Sequence, residues 1–437
     1  MLDFHLIDNE PDAVVAAIAK RGGAVKAVVV DAREAHRDLQ TTRTELQALQ
    51  TERNAISTRI GELRRGDRPV VAARDDDDAP PTEEETLRAR MAEIKPRLER
   101  LAKQEDALYK TREGLVDQLP NLPAEDIPEG GEANNVVLSE WGQRRAYVEP
   151  KDHVTLAGDS YDSAVAGWLS GSRYAVLSGA FASVERALGQ FMLDLHVHRH
   201  GYVEKSVPFI VKPNVMYATG QWPKFKDDLF QLTDGNLLIP TGEVPLTNLV
   251  REQTTEREAL PLRFTALTPC FRAEAGAAGR DTTGLIRQHQ FMKVELVSLV
   301  EPEQAEAEFA RKVACAEAVL QYLELPYRKV LLAAGDMGFA ARKTIDLEVW
   351  MPSQQRYVEI ASISWCGDFQ TRRMKGRYRQ ADGKLGYLHS LNGSGLAVGR
   401  TLAALFENHQ TDDGGVDMPA ILVPYLRPRL PEVGLAE

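Results

Sequence analysis

Residues 271–295 read FRAEAGAAGRDTTGLIRQHQFMKVE. Arg272 and Glu274 lie at the end of the strand-like run RFTALTPCFRAE, whose core spans 263–272. A Gly-, Ala- and Thr-rich stretch follows, and Phe291 and Glu295 lie in a second strand-like run over 286–300. Two strands joined by a hairpin loop hold an arginine, two carboxylates and an aromatic ring over one small patch. That combination suits a site for a nucleotide and an amino acid. Strand alternation predicts Arg272 and Glu274 on the same face. The competing reading is a solvated hairpin with surface charges.

Further segments add to this set. LLIPTGE at 237–243 offers the Thr241 hydroxyl and the Glu243 carboxylate at alternate positions, able to hold an ammonium; a helix N-cap is the alternative use of the same residues. YVEIAS at 357–362 offers Glu359 and Ser362 as hard oxygen ligands for a Mg²⁺ that also holds phosphates. NGSGLAVGR at 392–400 reads as a Gly-rich turn, with Gly393, Gly395 and Gly399 for close approach of backbone and ligand. Arg400 follows early in a helix, where it can face phosphate or a base. SVPFIVKPNVMYATGQWPKF at 206–225 is a Pro-punctuated segment suited to an interface. HVHRHG places His196, His198 and His200 at strand-like alternation, but no Cys or carboxylate set completes a metal site.

These residues need a scaffold, and the chain divides into unlike parts. Over 28–63 seam positions step four, then three, apolar except at Thr42 and Arg53: Val28, Ala35, Thr42, Leu49, Ile56 and Leu63 in one series, Ala32, Leu39, Leu46, Arg53 and Ile60 in the other. A second seam runs Leu87, Met91, Ile94, Leu98, Leu101, Leu108, Leu115. Between them lies GDRPVVAARDDDDAPPTEE, which cannot continue a helix. The pattern predicts an antiparallel coiled-coil hairpin with arms of roughly 50 Å, kinked at Pro96. The hairpin arm spans about 28–117 of an N-terminal domain over 1–117. Its arginines are interleaved with acids, so it is not a basic patch. Residues 118–150, rich in Pro, Gly and acid, read as a linker. Over 151–437, helical runs at 181–196, 302–323 and 396–409 alternate with strand-like runs at 263–272, 286–300, 328–333, 343–351 and 355–361, an α+β pattern.

Composition sets bounds. The chain has 437 residues, 43% hydrophobic and 27% charged, which fits an ordinary globular protein of two or three domains. No run is apolar enough to span a membrane, and the acidic start MLDFHLIDNEPDAVV lacks the basic region of a signal peptide. Three scattered cysteines point to a reducing, cytoplasmic setting. A net charge of −11 means that any nucleic-acid contact depends on local placement of Arg and Lys.

Together the hairpin, linker and C-terminal region resemble a class II aminoacyl-tRNA synthetase, and within that class the seryl-tRNA synthetase family, over essentially the whole chain. FRAE with Arg287 to Phe291 looks like motif 2, NGSGLAVGR like motif 3, and 206–225 like the dimer-forming motif 1. TGE and the arm favour serine. The resemblance implies a catalytic domain over 151–437 built on an antiparallel sheet flanked by helices, a homodimer, and serine–tRNA ligation through a seryl-adenylate. It implies ATP contacts at Arg272, Ala273, Glu274, Phe291, Glu359, Ile360, Ala361, Ser362 and Arg400. Arg272 would hold the α-phosphate, Glu274 the adenine amino group, and Phe291 and Arg400 the two faces of the base. Glu359 and Ser362 would hold Mg²⁺. Thr241, Gly242, Glu243, Arg272, Glu295, Asn392 and Ser394 would surround serine. The arm would reach the elbow and long variable arm of tRNA(Ser), and tRNA(Sec) is a further expected substrate.

Two positions depart from the pattern beside the expected pocket: Ala361, where Ser or Thr is usual, and Trp365, where Asn is common. They leave open a specialised isoform that tolerates a serine-mimicking inhibitor. A ligase loading an amino acid onto a carrier protein is the other alternative, and the long arm argues against it. A catalytically dead paralogue would lack Arg272, Glu274, Glu359 or Arg400; all are present.

Overall fold

A computed structural model describes residues 1–65, 80–275 and 284–426. The acidic run at 75–78 and most of the loop between the two motif-bearing strands lie outside the described residues. The chain forms two compact units: residues 2–15 with 24–119, and residue 1 with 16–23 and 120–437.

The first unit is dominated by helices α1 (Lys26–Arg65) and α2 (Glu83–Val116). Their lengths, 40 and 34 residues, correspond to about 60 and 50 Å. The seam is the one the heptads predict over most of its length: Ala32, Ala35, Leu39, Thr42, Leu49 and Ile56 are buried, and Leu49 and Ile56 pack with Ile94 and Leu101. At its start Val29, not Val28, is buried, and the seam position Arg53 is exposed. α2 opens with a capping box, Thr82 and Glu85 each bonding the other's backbone N–H. α2 continues through Pro96. Arginines pair with acids across the hairpin: Arg43 with Glu105 at 2.8 Å, Arg59 with Glu83 at 2.8 Å, Arg90 with Glu52 at 2.7 Å, and Arg97 with Glu45. Exposed pairs add little stability, but they neutralise the arginines that would otherwise make the arm a basic rod.

The second unit is built on an eight-stranded sheet. In chain order its strands are β1 (Val136–Trp141), β2 (Val203–Glu204), β3 (Leu262–Phe271), β4 (Gln290–Val300), β5 (Tyr327–Leu331), β6 (Lys343–Met351), β7 (Arg356–Gly367) and β8 (His389–Ala397). Their spatial order is β1-β5-β6-β7-β8-β4-β3-β2, antiparallel throughout except for the β2–β3 pair. β1 lies within the stretch read as a linker; in the structure it forms the sheet's edge beside β5. Helices α3 (Gly179–His198), α4 (Ala305–Tyr322) and α5 (Val398–Asn408) cover one face. Their apolar sides pack against Val294, Leu347, Ile363 and Leu396 of the sheet in one continuous core. The other face carries the polar residues of the site. A sheet that is apolar on one side and polar on the other is what alternating strands such as β4 encode.

Two local features differ from the sequence reading. NGSGLA at 392–397 is strand β8 rather than a turn, and Gly393 and Gly395 pack closely on protein neighbours. A Cβ at Gly395 would lie 2.6 Å from His196 Nε2, and one at Gly393 would lie 3.2 Å from the Ile363 backbone. His196 and His200 face each other across the C-terminal end of α3, Nδ1 to Nδ1 at 2.9 Å, a helical and not a strand spacing. His196 is fully buried against the Gly395 carbonyl, and burial pushes its pKa down to about 3. Cys270, Cys315 and Cys366 are buried and form no disulfide. Among the described residues no helix is long and apolar enough to cross a membrane.

Candidate functional site

Two neighbouring cavities open on the polar face of the sheet. The larger, about 400 Å³, is lined by Thr241, Glu243, Arg272, Glu274, Lys293, Glu295, Glu359, Ser362, Ser364, Asn392 and Ser394. That size suits a small ligand or part of a larger one. The second is lined by Arg272, Glu274, Arg287, Phe291, Lys293, Glu359, Ile360, Ser394 and Arg400, among others. Arg272, Glu274, Lys293, Glu359 and Ser394 border both.

Strand β4 supplies Phe291, Lys293 and Glu295 at alternate positions on one face, while Val294 points into the core. β3 stops at Phe271, so Arg272 and Glu274 sit just beyond the strand. Glu274 takes a left-handed backbone with φ of 52°, which breaks the alternation expected there. Both side chains still reach the cavities. Arg272 donates from Nε to the Pro240 carbonyl at 3.3 Å, and its guanidinium lies 5.3 Å from the Phe291 ring centre. Glu274 accepts from Arg287 at 2.6 Å.

β7 brings Glu359 and Ser362 to one cavity although they are three residues apart, a spacing that alternation places on opposite faces. The register explains it. Leu347 faces Ala361 and Glu348 faces Glu359, so Ile360 is an extra residue in β7. This bulge flips the alternation once. Ala361 consequently turns into the core, and Ser362 and Ser364 face the cavity. Trp365 lines neither cavity: it packs partly against the core, its ring 5.4 Å from the Arg342 guanidinium and its Nε1 donating to His389 at 3.4 Å. The two departures from the family pattern thus point away from the site.

One end of the site is a buried hydrogen-bond cluster. Thr241 Oγ1 donates to Glu295 at 2.8 Å and accepts from Lys293 Nζ at 2.7 Å, and Lys293 Nζ lies 2.5 Å from Glu295. The Glu243 N–H also donates to Thr241 Oγ1 at 3.3 Å, while the N-cap position of the short helix Glu243–Thr247 is Gly242. Glu243 accepts from Gln370 Nε2 at 2.6 Å, and Gln370 is held in turn by Ser390 Oγ at 2.8 Å. Burial, then the nearby Glu295 charge, raise the Glu243 pKa to about 7. Gly242 packs on Glu295; a Cβ there would lie 2.9 Å from the Glu295 Cβ. Asn392 accepts a weak bond from the Cys366 thiol at 3.6 Å. Ala273 lines neither cavity, and its N–H donates to the Asp228 carbonyl at 3.0 Å.

At the opposite end Arg400 donates from Nε to the Ile286 carbonyl at 2.8 Å and lies 3.5 Å from the Glu359 carboxylate. Asp346, paired with Ser362 across the strands, is 9% exposed, and one of its carboxylate oxygens has no hydrogen-bond partner. Burial, then the Glu359 charge, push its pKa well up. Asp346, Glu348, Glu359 and Ser362 share a further cavity with Arg287, Arg356 and Arg400.

Lys293, Asp346, Gln370 and Ser364 were not singled out from the sequence. Lys293 was legible, since it falls between Phe291 and Glu295 on the same strand face. Asp346 and Gln370 reach the site only through strand pairing and helix placement, which no local pattern reveals.

Comparison with known proteins joins these geometries to a family. A model described as seryl-tRNA synthetase N-terminal domain matches residues 1–123, and one described as tRNA synthetase class II core domain (G, H, P, S and T) matches residues 225–409. The chain is 48% identical over 433 residues to a serine–tRNA ligase of Zymomonas mobilis and 50% identical over 430 residues to one of Sphingopyxis alaskensis. Each match covers 98% of both chains. The seryl-tRNA synthetase of Pyrococcus horikoshii, solved in complex with ATP, has a TM-score of 0.88 at 33% identity and 98% coverage of both chains. The cytoplasmic serine–tRNA ligase of Naegleria fowleri, solved with AMP, has a TM-score of 0.83 at 26% identity, covering 98% of this chain and 97% of that one. Matched from end to end in sequence and in fold, with a helical hairpin followed by a class II core, the chain belongs to the seryl-tRNA synthetase family.

Proposed function

We propose that the chain activates L-serine with ATP to a seryl-adenylate and then transfers serine to the 3′ end of tRNA(Ser). The observation that carries this reading is the junction of the two cavities at Arg272, with a buried carboxylate cluster on one side and the Phe291 ring on the other. Thr241, Glu243 and Glu295 hold the serine ammonium, and Asn392 and Ser394 hold its hydroxyl. Phe291 and Arg400 sandwich the adenine. Glu274 keeps one carboxylate oxygen on Arg287 and offers the other to the adenine amino group. The serine carboxylate attacks the α-phosphorus in line and pyrophosphate leaves, Arg272 neutralising the charge that develops. The terminal adenosine hydroxyl of tRNA then takes the seryl group. Positioning and charge neutralisation dominate such chemistry.

Glu359 and Ser362 would hold Mg²⁺. The orphaned Asp346 oxygen beside them, in a cavity lined by five acids and three arginines, fits a cation accompanied by phosphates. Bound there, Mg²⁺ supplies positive charge to the triphosphate and the leaving pyrophosphate.

The charge-paired arm suits recognition of tRNA by shape and backbone, extending to tRNA(Sec). The motif 1-like segment leaves Phe209 and Ile210 exposed, which supports a homodimer. Three free, buried cysteines suit the reducing cytoplasm. The test is formation of seryl-tRNA from radiolabelled serine, ATP and Mg²⁺ with purified tRNA(Ser). Charging that fails with serine while adenylation proceeds would redirect the acceptor assignment.

A further inference from the structure

Lys293 borders both cavities, yet the reaction as derived gives it no task. Its side chain is 8% exposed, and its ammonium lies 2.5 Å from Glu295 and 2.7 Å from Thr241 Oγ1. Those are the two groups that the proposed function gives to the ammonium of serine. An ammonium carries three donors and no acceptor, so Lys293 Nζ satisfies the Thr241–Glu295 pair in the way a substrate ammonium does. Both cannot occupy one buried pair without like charges meeting in a site of low dielectric. Lysine has a flexible four-carbon stem, and Lys293 also borders the cavity that holds Arg272, Glu359 and Ser394. Its charge can therefore withdraw without leaving the site.

We propose that Lys293 is a positioning residue that occupies the ammonium subsite when no amino acid is bound. There it keeps the buried Glu295 charge-paired. When serine arrives, Lys293 cedes Thr241 and Glu295 to the substrate ammonium and turns toward Arg272, beside the serine carboxylate and the α-phosphate. The proposal rests on the assignment of Thr241 and Glu295 to the ammonium. It makes the subsite selective for ligands that bring their own cation, because only these displace the lysine.

The experiment measures binding by calorimetry to the full-length protein without ATP, for wild type, K293M and E295Q. The ligands are L-serine and 3-hydroxypropanoate, which is serine without its ammonium. K293M is expected to bind serine about ten-fold tighter, since no internal hydrogen bond to a charged group has to be displaced. It is expected to bind 3-hydroxypropanoate at least about ten-fold more weakly, since nothing then pairs with Glu295. In ATP–pyrophosphate exchange K293M shows a lower KM for serine and a kcat reduced about 100-fold, the usual loss on removing one charge-stabilising group. Weaker binding of both ligands would make Lys293 a fixed counter-ion of Glu295 and overturn the proposal. E295Q that binds serine as tightly as wild type would instead remove the ammonium assignment beneath it. Should K293M not fold, NMR of wild type labelled at lysine Cε decides. Serine is expected to shift the resonance that K293R lacks while 3-hydroxypropanoate leaves it in place; no shift with serine overturns the proposal.

Discussion

Glu243 makes serine affinity depend on pH in a way that can be worked from the structure. Its carboxyl is buried, and burial with the neighbouring Glu295 charge raises its pKa from 4.5 to about 7. The ionised form binds the serine ammonium; the protonated form does not. About one molecule in eleven is ionised at pH 6 and about ten in eleven at pH 8, so the KM for serine is expected to fall about ten-fold between those values. E243Q should remove the slope and hold KM near its wild-type value at pH 6. Stability carries the same linkage with a defined sign. The folded state keeps the proton to higher pH than the unfolded state, so stability is greatest below 4.5 as far as this group is concerned and declines as pH rises through 7. The decline amounts to about 3 kcal/mol, and E243Q should lack it. The assay is ATP–pyrophosphate exchange across serine concentrations at several pH values, paired with urea melts. An undiminished ten-fold slope in E243Q would refute the reasoning, because another group would then be titrating.

Other outcomes follow from the same geometry. Arg272→Ala should lower the exchange rate by about 10²–10³-fold while leaving the thermal melt near that of wild type, since Arg272 lies beyond the end of β3; a matching loss of stability would contradict that. Gly395→Ala places a methyl group against the buried His196 ring and should cost about 1–3 kcal/mol, read as a lower midpoint in denaturant melts. Deleting residues 28–117 should abolish tRNA charging and leave serine-dependent exchange largely intact, because the site lies wholly in the other compact unit; equal loss of both would make the arm structural.

Much of the fold was legible because it follows local periodicity. The heptads of α1 announce most of the buried seam, and β4 declares its two faces through Phe291, Lys293 and Glu295 against Val294. The turn-like glycines of 392–397 misled: small residues are used in β8 because His196 and Ile363 press against it, a tertiary cause with no local signature. The edge strand β1 was hidden in Pro- and Gly-rich surroundings, since its partner β5 is almost two hundred residues away in sequence. Within the site, the residue types at 241–243, 272–274 and 359–362 indicated the chemistry. Their convergence did not follow from spacing. The Ile360 bulge that turns Glu359 and Ser362 to one side, and the partnering of Asp346 with Ser362, arise only when β6 and β7 pair.

The measurement that bears most directly on the account is ATP–pyrophosphate exchange with each of the twenty amino acids in turn, with Mg²⁺ present and no tRNA. The Thr241–Glu243–Glu295 cluster, with Asn392 and Ser394 for the hydroxyl, predicts exchange that is strong with serine. Alanine should be weaker by a factor of roughly 10⁴, because it leaves the hydroxyl-binding groups unpaired. Absence of exchange with serine, or faster exchange with any other amino acid, would contradict it.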